Sequence, residues 1–184
     1  MSSPRIAVLD VDGTLVDTNY QHALAWYRAF RSLGETFPVW RIQRPPPPPP
    51  MWRIHRAVGM GGDQLVAALG GDDVERRIGD AARERWVEQV DPMMGETALL
   101  PGARELVVAL KERGHRVVLA SSGKPHHVDR ALDLLDARGL ADAWTTSDDV
   151  ERTKPAPDLL QVALAKLGEP ADAPSVVVGD SVYD

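Results

Sequence analysis

The sequence predicts an α/β fold in which a parallel sheet carries an inserted helical domain. Three short apolar runs rich in Val and Ile, at 5–10, 116–121 and 175–179, have the composition of strands that are covered on both faces. Helical patterns alternate with these runs, and this alternation indicates right-handed βαβ units. Residues 18–98 interrupt it, because they contain helical patterns and no convincing strand.

The remaining elements of the sheet-forming part follow from the same periodicity. A weaker apolar run at 143–147 is a candidate fourth strand. Apolar residues recur at helical spacing over 103–110 and again over 131–135. The segment 156–168 has an early proline and a terminal glycine, which are typical of the start and end of a helix. Helices therefore lie between the predicted strands.

The interruption divides the chain into two predicted parts. Residues 1–17 and 99–184 form the sheet core, and residues 18–98 form the helical insert. The insert contains helical patterns at 18–33, 63–69 and 72–90.

A run of six prolines at 45–50 lies inside the insert. Proline disrupts helices and central strands, so we expect an extended polyproline II conformation here. Two near-copies of one short sequence, at 40–44 and 52–56, flank the run and indicate a local duplication or an inserted linker. We interpret the run as a tolerated loop; the alternative is a ligand for SH3-like or WW-like domains.

Composition limits the classes of partner. The 184 residues carry a formal net charge of −6, which disfavours a nucleic acid or an anionic membrane as the main partner. The absence of cysteine excludes disulfides, a thiolate nucleophile and a cysteine metal site. We find no signal-peptide pattern and no run of about 18 apolar residues, so we expect a cytoplasmic protein.

Chemically useful side chains follow the predicted strands. Asp10 and Asp12 come directly after the first strand, and two carboxylates so close repel each other unless a cation or a proton lies between them. This pair predicts a divalent metal site. Gly13 permits a sharp turn, and Thr14 can donate a hydrogen bond to an anion.

The later strand ends add further candidates. Ser121 and Ser122 offer hydroxyl donors, Lys154 precedes a helix start, and Asp180 and Asp184 offer hard oxygen ligands. Each residue alone is common in turns and helix caps. Together they predict a magnesium-dependent phosphoryl site with an aspartate nucleophile and with hydroxyl and ammonium groups on the phosphoryl oxygens.

The motifs DVDGT, LASS, TKP and GDSVYD resemble, in order and spacing, those of the haloacid dehalogenase superfamily, and the insert resembles its C1 cap. The resemblance implies a Rossmann-like core in which Asp10 forms an aspartyl-phosphate. It also implies that Asp12 protonates the leaving oxygen and then deprotonates water, while Ser121 and Lys154 bind the phosphoryl group. Mg²⁺ would be held by Asp10, by Asp12 through its backbone carbonyl, by Asp180 and by Asp184.

Details of the motifs indicate a branch of the superfamily. Asp12 favours phosphoryl transfer, because the dehalogenases lack an aspartate at this position. The stretches DTNYQH and HRAVGMGGDQL resemble the phosphoglycolate phosphatase and β-phosphoglucomutase branch, which makes Thr18, His22 and Arg56 candidate substrate contacts. His22 could equally be a partly buried helix residue. We expect a phosphatase acting on a small phosphorylated metabolite; a phosphomutase is the alternative, although the insert has no lysine to assist Arg56.

Two further interpretations stay open. One is a signalling module that accepts phosphate on Asp10 without turnover; the other is an inactive form that acts only as a binding element. The chain stops at Asp184, within the fourth motif, so we expect part of the core to be missing, 175–179 to be an exposed apolar edge, and Asp184 to be frayed. A monomer or weak self-association is expected. His126 and His127 are interpreted as surface residues.

Overall fold

The computed structural model describes residues 6–35 and 49–184, and its centre is a parallel sheet. Among the described residues the sheet has four strands, β1 (Ile6–Leu9), β2 (Arg116–Ala120), β3 (Ala143–Thr145) and β4 (Ser175–Val178). They pair in the order β3-β2-β1-β4. Each pair is parallel, with Val8 of the first strand opposite Val118 on one side and Val177 on the other. The predicted α/β class is therefore confirmed.

Successive residues of the inner strands point to opposite faces of the sheet, and each face has its own apolar cluster. Ala7 and Leu9 of β1 pack with residues from two helices on one face. Ile6 and Val8 pack with a third helix on the other face. Burial on both faces explains why the strands read as continuous apolar runs. The three helices are α5 (Ala103–Glu112), α6 (Pro125–Leu135) and, on the second face, α7 (Asp158–Lys166).

The remaining helices form a separate layer with its own apolar cluster. Phe30, Ile54 and Leu65 are fully buried in this cluster, and Trp26 stacks between Phe30 and Trp86. None of the described helices is long and apolar enough to cross a bilayer. We refer to these helices together as the helical segment: α1 (Asn19–Ser32), α2 (Met51–Ala57), α3 (Gly62–Gly70), α4 (Asp72–Val90) and the following 3₁₀ turn (Asp91–Glu96).

The helical segment contains two elements that were not predicted from the sequence, α2 and the 3₁₀ turn Asp91–Glu96. Helices α1, α3 and α4 begin and end within a residue of the predicted limits. Helix α2 was not predicted, because its seven residues overlap the second copy of the repeat beside the proline run. Most of that run, 45–48, lies outside the described residues. Pro50, which precedes α2, has φ −61° and ψ 143°, in the polyproline II region.

Strand β4 forms one edge of the described sheet. It pairs with β1 alone, and the residues Val176, Val177 and Val178 are 46%, 40% and 40% exposed. The predicted exposed apolar edge is therefore confirmed. Such an edge presents unpaired backbone donors and acceptors that can pair with another chain.

We expect Val177→Lys to reduce self-association at high protein concentration, because a lysine on an edge strand opposes edge-to-edge pairing. Leu106→Lys is the matched control, since Leu106 is also 40% exposed but lies on α5, away from β4. Sedimentation velocity over a range of concentrations measures the effect. Equal association of the wild type and both variants would show that the edge strand does not mediate contacts between chains.

Candidate active site

Three carboxylates and one ammonium group meet at the carboxyl ends of β1 and β4. Asp10 follows β1, Asp180 and Asp184 follow β4, and one carboxylate oxygen from each lies within 4.8 Å of the other two. The Lys154 ammonium donates hydrogen bonds to Asp10 Oδ1 at 2.5 Å and to Asp184 Oδ1 at 2.7 Å. The fold thus brings together four of the predicted site residues from distant parts of the sequence.

The turn after β1 positions two of these carboxylates. Gly13 has φ +82°, and a Cβ there would collide with the side chains of Asn19 and Asp180. Because the chain approaches so closely, Asn19 Nδ2 donates to Asp180 Oδ2 at 2.7 Å. The Thr14 hydroxyl donates to Asp10 Oδ2 at 3.1 Å. Gly13 and Thr14 therefore shape the site, as their place after the strand suggested.

Asp12 lies in a separate set of hydrogen bonds. Thr18 Oγ1 donates to Asp12 Oδ1 at 2.8 Å, and Ser121 Oγ donates to Asp12 Oδ2 at 3.1 Å. His22 Nε2 lies 3.2 Å from Asp12 Oδ1 and donates to it when that nitrogen carries the proton. Ser121 Oγ also accepts from Gly123 N at 2.9 Å. Thr18 and His22, predicted as substrate contacts, thus both hold Asp12 in this structure.

The pKa values of the two aspartates shift in opposite directions. Burial raises the pKa of Asp10 to about 7; the Lys154 charge lowers it only in part, and the Asp184 charge raises it further. Burial also acts to raise the pKa of Asp12, but the hydrogen bond and charge of His22 and the hydroxyl donors together lower it well below its ordinary value. Asp12 is therefore a stable carboxylate in the free site, whereas the charge of Asp10 is poorly compensated.

Asp184 is well held, and the expectation that its side chain would be frayed is wrong. Its Oδ2 accepts from the backbone N–H of Ser181 at 2.9 Å and from the Ser181 hydroxyl at 2.8 Å, while Lys154 binds its Oδ1. The side chain is only 8% exposed. Burial acts to raise its pKa, but the bonds and charge of Lys154 and the Ser181 donors lower it below its ordinary value.

A small cavity of about 50 Å³ lies over Asp10 and Asp12, between the sheet and the helical segment. Ser122 lines it from the sheet side, and the glycine-rich stretch 58–62 lines it from the helical segment. Arg56, a predicted substrate contact, is exposed on α2 and is not among the lining residues, so the structure does not bring it to this cavity. The large apolar side chains that line the cavity are Trp26, Val58, Met60, Leu65 and Trp86.

Direct hydrogen bonds hold the helical segment against the loop that carries Lys154. The backbone N–H of Gly61 donates to the Lys154 carbonyl at 3.1 Å. The Asp63 carboxylate accepts from the Thr153 backbone N–H at 3.0 Å and also from the Thr153 hydroxyl. A side chain at Gly61 would collide with Thr153, so glycine is required for this approach. The contacts close the helical segment over the cavity.

Several residues of the site were not identified from the sequence. Asn19, Asp63 and Thr153 act through contacts between distant segments, and no local pattern marks such contacts. His127 was interpreted as a surface residue, which is wrong, because its side chain is only 4% exposed; His126 is exposed as expected. The sequence did contain a signal for this burial: His127 lies four residues before Ala131, which is buried, so the two share one face of a helix.

Comparison with known proteins gives a consistent assignment. The chain is 28% identical over 172 residues to validoxylamine A 7'-phosphate phosphatase of Streptomyces hygroscopicus subsp. limoneus, covering 92% of this chain and 74% of that protein. It is 30% identical over 182 residues to protein CbbY of Cereibacter sphaeroides, covering 95% and 75%. A hydrolase structure from Pseudomonas syringae superposes with a TM-score of 0.80 at 28% identity, covering 99% of this chain and 77% of that one.

The family model of haloacid dehalogenase-like hydrolases matches residues 4–184, which is nearly the whole chain. The match includes the ends of β1, β2 and β4 and the loop that carries Lys154. The chain therefore belongs to the haloacid dehalogenase-like hydrolases.

Proposed function

We propose that this protein is a Mg²⁺-dependent phosphatase that hydrolyses a small phosphate monoester through a phosphoryl group on Asp10. The observation that carries the proposal is the arrangement at the end of β1. Asp10 lies beside a buried ammonium group and two further carboxylates. Asp12 instead accepts hydrogen bonds from the hydroxyl groups of Thr18 and Ser121. Family membership and the phosphatase among the relatives support the same reaction class.

The carboxylate cluster fits a magnesium ion. Carboxylate oxygens are the ligands that this hard cation prefers, and Asp10, Asp180 and Asp184 offer one each within 4.8 Å of one another. Lys154 is the one ammonium group that bonds to the cluster among the described contacts, so the cluster carries excess negative charge. The raised pKa of Asp10 reflects this excess together with burial. A bound Mg²⁺ would supply the positive charge that keeps Asp10 ionised and would offset the charge of the phosphoryl oxygens.

In the first step a carboxylate oxygen of Asp10 attacks phosphorus, and the bond from phosphorus to the leaving oxygen breaks. The Lys154 ammonium, 2.5 Å from Asp10 Oδ1, is placed to neutralise the phosphoryl oxygens as well. The proton of Asp12 passes to the leaving oxygen, so that a neutral alcohol departs. Asp10 then carries the phosphoryl group as a mixed anhydride.

The second step returns the site to its starting state. Asp12 accepts a proton from water as the water attacks phosphorus, inorganic phosphate leaves, and Asp10 is again a carboxylate. Asp12 must therefore carry a proton when substrate is bound, although its pKa is low in the free site. A phosphate dianion beside Asp12 and the expulsion of water both raise the pKa of a carboxyl group, so binding of the substrate itself favours the protonated form.

The lining of the cavity supports hydrolysis more than mutase chemistry. A mutase must bind a second phosphate on its substrate, and none of the described residues that line the cavity is lysine or arginine. Apolar side chains and backbone groups of the glycine-rich stretch form most of the wall from the helical segment. We therefore propose an uncharged leaving group.

The activity itself is tested by a panel of small phosphate monoesters with and without Mg²⁺. We expect turnover only with the metal, no measurable turnover for Asp10→Asn, and a loss of about 10²–10⁴-fold for Asp12→Asn with a phosphorylated protein that accumulates. Asp73→Asn, an exposed aspartate on α4, is the control and should match the wild type. Wild-type activity in Asp10→Asn would refute Asp10 as the nucleophile.

Metal-free stability provides a second test. The folded-state pKa of Asp10, about 7, lies above its ordinary value of 3.8. As pH rises through this interval, the unfolded chain releases the Asp10 proton before the folded protein does, so the free energy of unfolding falls. Asp10→Asn removes that charge. In chelator-treated protein we expect its melting temperature to exceed that of the wild type by several degrees, since ~1 kcal/mol shifts a chain of this size by about 2–4 °C.

The increase should be larger at about pH 8 than at about pH 5, because only the wild type ionises between them. Mg²⁺ should stabilise the wild type more than it stabilises Asp10→Asn, which keeps only two of the three carboxylates. Calorimetry on both proteins and on Asp73→Asn measures this. A difference that does not depend on pH would contradict the assigned charge imbalance at Asp10.

A further inference from the structure

A second group of metal-binding side chains lies outside the active site. Asp91, at the end of α4, places Oδ1 2.8 Å from His127 Nε2 and 3.0 Å from His126 Nε2. One ligand atom from each of the three residues lies within 4.8 Å of the others. Asp91 belongs to the helical segment, whereas the two histidines begin α6 beside the sheet. The group therefore joins the two layers of the molecule.

The three side chains suit a transition metal better than magnesium. Imidazole nitrogens with a carboxylate oxygen are typical ligands of Zn²⁺ and similar ions, at about 2.0–2.2 Å from the metal. The side chains of His126 and Asp91 are 57% and 43% exposed, so solvent reaches the space between the ligand atoms and can supply a water as fourth ligand. His127 is fixed by burial, with its ring against Trp86.

We propose that Asp91, His126 and His127 bind one Zn²⁺-class ion that links the helical segment to the sheet layer. Each imidazole must present an unprotonated Nε2 to the ion, so a neutral ring carries its proton on Nδ1 in the bound state. The Nδ1 atom of His127 is buried without a hydrogen-bond partner, so this ligand lacks the outer support common in tight sites. The site should therefore bind more weakly than a structural zinc site.

The ion would hold the helical segment closed over the active site. The cavity is formed between the two layers, so an alcohol product leaves more easily when they separate. In addition, the His127 ring lies 5.8 Å from Trp86 and 6.2 Å from His22, centroid to centroid, and His22 bonds to Asp12. Any effect of the ion on turnover rests on the proposed phosphatase function. We expect Zn²⁺ at this site to slow turnover without competing with Mg²⁺.

The binding claim is tested by isothermal titration of metal-free protein with Zn²⁺ in millimolar Mg²⁺, which occupies the carboxylate cluster. We expect one equivalent to bind to the wild type and the affinity to fall at least about tenfold in His126→Ala and in Asp91→Asn. His55→Ala, which removes another exposed histidine, is the matched control and should bind as the wild type does. Co²⁺ in place of Zn²⁺ should give visible absorption bands that His126→Ala loses.

The outcomes separate this site from the proposed function. If the wild type and His126→Ala bind Zn²⁺ equally well, the ion lies elsewhere and the proposal is overturned. The same holds if only Asp180→Asn loses Zn²⁺ binding. No Zn²⁺ binding by the wild type would also overturn it. Binding that depends on His126, in a protein without phosphatase activity, would support the site and refute the function. With an active protein, Zn²⁺ should lower kcat in the wild type and have little effect in His126→Ala.

Discussion

The buried hydrogen bonds of Lys154 to Asp10 and Asp184 are the interaction on which the site depends. Moving charged groups out of water costs several kcal/mol per ion, and removal of the Lys154 ammonium would leave both carboxylates uncompensated. The three residues come from the end of β1, from the loop before α7 and from the segment after β4, so their pairing fixes three chain segments together. Two carboxylates share one ammonium group, and the remaining negative charge suits a divalent cation.

A second constraint is the contact between the helical segment and the sheet layer. Gly61 and Asp63 bind the same loop that presents Lys154, so the position of the helices and the position of the ammonium group are coupled. His22 extends this coupling to Asp12. The two carboxylates proposed to act as nucleophile and as acid and base are therefore held by different partners, which explains their opposite pKa shifts. Asp91 and the two histidines form a further contact between the same two layers.

Much of this arrangement could be predicted from the sequence, because it follows local rules. The apolar runs gave the strands, and residues directly after parallel strands must meet at one edge of the sheet, which places Asp10, Ser121 and Asp180 together. The contacts of Asn19 and Asp63 could not be predicted, because they depend on how the turn at Gly13 and the glycine-rich stretch bring separate segments into contact. The environment of Arg56 was also beyond the sequence, since a motif resemblance does not fix the direction of an exposed side chain on a short helix. The burial of His127 and the ordered Asp184 depend on tertiary packing in the same way.

The central claim is that Asp10 accepts a phosphoryl group beside a metal held by Asp180 and Asp184. A crystal structure of the protein with Mg²⁺ and trifluoroberyllate, a tetrahedral analogue of a phosphoryl group on a carboxylate, tests it most directly. The account predicts beryllium bonded to a carboxylate oxygen of Asp10, a fluoride within hydrogen-bond distance of Lys154 Nζ, and Mg²⁺ bound by oxygens of Asp10, Asp180 and Asp184. Trifluoroberyllate on another residue, or Mg²⁺ bound away from these three carboxylates under the same conditions, would contradict it.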